Sequence, residues 1–80
     1  MKLPRNVSGS QLVKALVRFG YVVVRQTGSH VRMAIYTPTY NPVSKPMHRP
    51  IKVGTLDGIL ENVAKHAGLD RDALLQILHL

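Results

Sequence analysis

Apolar residues recur at helical spacing in three stretches of the chain and alternate in a fourth. Leu12, Ala15, Leu16 and Phe19 fall on one side of a helix. Ahead of them, Ser8-Gly9-Ser10-Gln11 fits a capping box in which Gln11 reaches back to the Ser8 amide. Gly20 ends this helix, in the left-handed conformation that glycine tolerates best. Leu56, Ile59, Leu60, Val63, Ala64 and Ala67 form a second stripe. Gly54-Thr55 opens that helix, with Thr55 as N-cap, and Gly68 closes it. Asp57 and Glu61 suit the positive end of its dipole, and Lys65 and His66 the negative end. A third helix is capped by Asp70, with Leu69 stapled onto Leu74. Its apolar positions are Leu74, Leu75, Ile77 and Leu78.

Between the first two helices the period changes to that of a strand. Tyr21–Gln26 and Val31–Tyr36 are β-type runs, and Gly28-Ser29 is a two-residue hairpin loop in which Gly supplies the positive φ. In that register, paired residue numbers sum to 57. Val22, Val24, Val31, Met33 and Ile35 then share one face, expected to be the core face. Arg25, Thr27, His30 and Arg32 share the other, with Tyr21, Val23, Ala34 and Tyr36. A turn is expected at Thr37-Pro38-Thr39. The stretch from Tyr40 to Met47 returns as a short third strand at an edge, limited by Pro42 and Pro46, with its faces unassigned. His48-Arg49-Pro50 is a loop. The order is therefore α-β-β-β-α-α, an α+β fold. A three-stranded antiparallel sheet with helices on one face satisfies the apolar patterns in a single domain over residues 1–80.

Charge changes what the open face of that sheet is for. The net charge is +7, and residues 1–53 carry nine Lys/Arg and no Asp or Glu. Residues 54–80 net −2. Such asymmetry points to a polyanionic partner for the first two thirds of the chain, or to a merely soluble basic surface. The absence of cysteine excludes disulfides and thiolate metal sites. No apolar run approaches membrane-spanning length, and the first residues lack the apolar stretch of a signal peptide. A cytoplasmic protein with no membrane contact is expected.

Chemistry is carried by histidine beside arginine. His30 lies with Arg25 and Arg32 on one face at a turn. Cleaving RNA through its 2′-hydroxyl needs a proton removed there, charge stabilised on the phosphate and a proton delivered to the leaving oxygen. Histidine and arginine supply the first two. His30 could equally be a loop residue that contacts only sugar or phosphate. His48 with Arg49 and Lys52 forms a second cluster. Lys14 and Arg18 are four apart on the first helix, and either touch phosphates or form a solvated face. His66 and His79 sit near helix C-termini, where a dipole role explains them. Neither a metal set, a Ser-His-Asp arrangement nor a phosphate loop is present, and no cofactor is expected.

Taken together, certain residues resemble a known family. They are Ser8-Gly9, Gly20-Tyr21, Arg25-Gln26-x-Gly28-Ser29-His30, Pro46-x-His48 and Lys52-x-Gly54-Thr55-Leu56. This set is similar to the HicA, or YcfA-like, family of small bacterial toxins, over nearly the whole chain. Gly28-Ser29-His30 followed about two dozen residues later by Gly54-Thr55-Leu56 is the specific combination. The resemblance implies a double-stranded-RNA-binding-domain-like fold and a ribosome-independent mRNA interferase that cuts without a metal. It also implies neutralisation by a HicB-like antitoxin, for which an acidic surface covering the active site is expected. His30 falls on the family's catalytic histidine, and His48 on a position often histidine. Arg25 and Arg32 would then hold the scissile phosphate, Ser29 would contact the RNA, and Lys14, Arg18 and Lys52 would grip the RNA backbone. The alternative is an RNA-binding module of the same fold that cuts nothing. Pro38 and Pro42 depart from the family's usual return strand, which they are expected to shorten or to alter as an antitoxin dock.

Overall fold

The computed structural model describes residues 7–28, 30–46 and 51–80. Its elements run α1 (Gly9–Phe19), β1 (Val22–Thr27), β2 (His30–Ile35), β3 (Asn41–Pro46), α2 (Val53–Ala67) and α3 (Arg71–Leu78). The strands form one antiparallel sheet in the order β1-β2-β3. This is the expected α+β order, and it fits the double-stranded-RNA-binding-domain-like description.

Local capping sets most helix ends. The Gln11 amide donates to Ser8 Oγ at 3.1 Å and the Ser8 amide donates to Gln11 Oε1 at 2.7 Å, completing the capping box. Gly20 has φ 127°, and a Cβ there would lie 3.2 Å from Ile35 Cδ1. The position therefore needs glycine for both its backbone and its close approach to β2. The Ala73 amide donates to the Asp70 carboxylate at 2.8 Å, as expected of the α3 cap. The start of α2 differs from expectation. Its N-cap is Lys52, without a side-chain cap bond, and Thr55 lies within the first turn. The Ile51 amide donates to the Val7 carbonyl at 2.8 Å, which ties the α2 entrance to the segment before α1.

Helices cover one face of the sheet. Leu12, Ala15 and Leu16 of α1 pack in one core with Leu56, Ile59, Leu60 and Val63 of α2, Leu74, Leu75 and Leu78 of α3, and Val31, Met33 and Val43 of the strands. Ala67 and Ile77, both expected in the apolar stripes, are exposed instead. An ion pair between Arg71 and Asp57 links α3 to α2.

The hairpin brings the largest correction. Near the loop the expected register holds, with Thr27 opposite His30, Gln26 opposite Val31 and Arg25 opposite Arg32. Gly28 takes the positive φ of the turn, 55°. A bulge between Val23 and Arg25 then shifts the pairing, so that Val23 lies opposite Met33 and Val22 opposite Ala34. One extra residue reverses the alternation beyond it. Tyr21, expected on the open face, is thereby turned inward and buried with the core. Val22 and Val24, expected in the core, are 50% and 48% exposed, as is Val23 at 47%. All of β1 is exposed because it is an edge strand whose flanks the helices leave uncovered.

The opposite edge is the short return strand expected there. β3 pairs with β2 over six residues, from Asn41 opposite Ile35 to Pro46 opposite His30. Pro42 and Pro46 are four apart, so their backbones have the same parity in the strand. Continuous pairing requires that their missing N–H groups face the open edge. Val43, between them, is buried.

Candidate active site

Every side chain that the alternation places on the uncovered face follows from the pairing. Thr27 and His30 form one row, Arg25, Arg32 and Ser44 the next, and Val22, Ala34 and Pro42 a third. The first two rows enclose a pocket of about 210 Å³ lined by Arg25, Thr27, His30, Arg32 and Ser44. The bulge stands immediately before Arg25. It lets Tyr21 enter the core while Arg25 and Thr27 stay on the pocket face.

The pocket's lining residues bring two guanidinium groups, an imidazole and two hydroxyls, without a carboxylate. Arg25 and Arg32 face each other directly across the strands. Like charges so placed destabilise a sheet. Among the described residues neither arginine has an ion-pair partner. An anion seated between them would relieve that repulsion, and guanidinium forks match phosphate oxygens. His30 is exposed at the rim, where its ring can exchange protons with solvent or a bound group. No group of three or more His, Cys, Asp or Glu side chains that could hold a metal gathers among the described residues.

Of the residues singled out in the sequence, Arg25, His30 and Arg32 come together here. Ser29 and His48 lie outside the described residues, as does the expected loop at 48–50. Lys14 and Arg18 are on α1, whose apolar stripe packs against the other face of the sheet. Arg18 Nη2 donates to the Leu78 carbonyl at 3.0 Å, satisfying the end of α3. Lys52 is exposed at the start of α2 and does not line the pocket. Likewise, His66 Nε2 donates to the Thr37 carbonyl at 3.3 Å, and His79 caps α3. Ser44 was missed because the faces of the return strand were open. Its even spacing from Pro42 and Pro46 was the available signal, since all three share one parity.

This geometry has a counterpart in sequence comparison. The family model described as the HicA toxin of bacterial toxin–antitoxin systems matches residues 9–69. Neither a curated protein nor a solved structure matches the chain significantly. With more than half its length matched, and with the pocket residues inside the match, the chain belongs to the HicA family of bacterial toxins.

Proposed function

We propose that this toxin is an endoribonuclease that cuts mRNA without a ribosome or a metal, with His30 moving the proton. The observation that carries the reading is the pocket, in which His30 stands beside the facing pair Arg25 and Arg32. The arginines hold the phosphate and neutralise charge as it builds on the non-bridging oxygens. His30 takes the proton from the 2′-hydroxyl, the 2′-oxygen bonds to phosphorus, and the bond to the 5′-oxygen breaks. The leaving oxygen takes up a proton in turn, from His30 in the opposite role or from a second acid such as His48. The products are a 2′,3′-cyclic phosphate and a 5′-hydroxyl. Thr27 and Ser44 add hydroxyl donors at the pocket wall. Ser29, next to His30 in the sequence, contacts the RNA, and Lys14, Arg18 and Lys52 supply at most a weak, salt-dependent grip.

The partner is a HicB-like antitoxin with an acidic surface laid over His30. A basic pocket without carboxylates favours such a cover by charge. Both act in the cytoplasm, where mRNA is found. In the structure, no helix among the described residues is long and apolar enough to cross a membrane.

The test is to incubate the purified chain and its His30→Ala variant with a long RNA in the presence of chelator. Cutting by the native chain alone, with cyclic phosphate ends, is expected. Tight binding by both without cutting would replace the enzyme with an RNA-binding module. Equal cutting by both would remove His30 from the chemistry and make His48 the next residue to change.

A further inference from the structure

The uncovered face of the sheet does not stop at the pocket. His30, Arg32, Ala34 and Tyr36 alternate along β2 and its exit. His30 and Arg32 line the pocket. Ala34 is buried without joining the core cluster, and lies between Val22 and Pro42 on the neighbouring strands. Tyr36 directly follows Ile35, which packs against the core. Tyr40 directly precedes Asn41, which pairs with Ile35 and donates to the hydroxyl of buried Tyr21 at 2.8 Å. Both tyrosines are thus one step out of phase with inward residues. They are 58% and 59% exposed, and their rings pair with centroids 5.4 Å apart at an angle of 36°. The bond from His66 to the Thr37 carbonyl ties the connecting loop to α2.

We infer that Tyr36 and Tyr40 form a base-stacking subsite for single-stranded RNA, on the face that carries the His30 pocket. Six strand residues at about 3.3 Å each put Tyr36 roughly 20 Å from His30. At roughly 3.4 Å per phosphate for a stacked strand, that distance takes about six nucleotides, more than a trinucleotide supplies, with Arg25 and Arg32 beside the phosphates. The charge argues for this occupant, since residues 1–53 contain no carboxylate side chain. An aromatic face accepts any base, so the subsite adds affinity and sets a minimum length more than it reads sequence. The inference rests on the reading that the pocket takes RNA, and does not require that the RNA be cut.

The test uses a 2′-fluoro-substituted single strand of 12 nucleotides, which lacks the 2′-hydroxyl nucleophile, and a matching trinucleotide. The chain has no tryptophan and three tyrosines, one of them Tyr21 in the core. Quenching of tyrosine emission therefore reports stacking at this pair. Tyr36→Ala and Tyr40→Ala should each weaken binding of the 12-mer by roughly 5- to 100-fold. Tyr36→Phe and Tyr40→Phe should hold it near native, and trinucleotide binding should be unchanged throughout. Because both rings are exposed, melting temperatures should stay native. Full-strength binding of the 12-mer by the alanine variants would overturn the inference. So would an equal loss on the trinucleotide, or variants that keep RNA but lose the antitoxin. A native chain that fails to bind the 12-mer overturns it too. Tyrosine-dependent binding without any cleavage would sink the nuclease and keep the subsite. His30-dependent cleavage with unaltered tyrosine variants would do the reverse.

Discussion

Along β2, neighbouring residues serve opposite faces of one sheet. Val31 and Met33 are buried under the three helices, while His30 and Arg32 are exposed in the pocket. The covered face is apolar and closed, and its worth is stability. The open face gathers cations that repel each other, and its worth, in the proposed function, is binding. A three-stranded sheet with helices on one side separates these tasks by single-residue alternation, so substitutions one position apart should have unlike consequences.

The sharpest break would come at the first such pair. His30→Ala should reduce RNA cleavage by about 10²- to 10⁴-fold with an unchanged melting temperature. A variant that unfolds would place His30 in the core and end the distinction. Met33→Ala should do the opposite, losing about 2–5 kcal/mol of stability to lost packing while each folded molecule stays active. Denaturant titration beside a cleavage assay reads both.

Tyr21 tests the residue that the bulge moved from one face to the other. Burial raises its pKa above the ordinary tyrosine value, and the hydrogen bond from Asn41 opposes this. A raised acid pKa means the fold favours the protonated phenol. Stability from this source is complete below the usual tyrosine range and is lost as pH rises through the higher folded value. Tyr21→Phe should therefore flatten the alkaline fall of the melting temperature. At neutral pH it should cost about 1 kcal/mol for the lost bond. An unchanged alkaline limb would mean that Tyr21 is open to water.

The smallest effect has the most telling sign. Arg32→Gln removes one of two facing like charges, and should raise stability by up to about 1 kcal/mol. The same change should weaken RNA binding and reduce its salt slope by about 1. A loss of stability instead would show that the arginines are partnered in the folded chain.

How much of this was legible in the sequence differs between the two faces. His30, Arg25 and Arg32 could be grouped because the hairpin turn sets the register of its nearest pairs, and those pairs lie before the bulge. The three consecutive valines of β1 misled, since β-branched residues signal a strand without saying what covers it. Nothing in Val22-Val23-Val24 marks a bulge, for which a glycine would have been the usual clue. The prolines of β3 marked an edge strand, and it is one. They left its facing open, which the pairing with β2 sets by burying Val43.

Local pattern was enough for the order of elements, the caps at Ser8 and Asp70, the glycine stops, and the alternation within β2. Each of these rests on hydrogen bonds and dihedral preferences within a few residues of chain. Long-range packing is what leaves β1 exposed, turns Tyr21 inward, brings Ser44 to the pocket, and sets Arg18 against the end of α3. Those outcomes depend on where helices come to rest against a sheet and on which strands end at its edges. Contacts between residues far apart in sequence set both, and no local pattern encodes them.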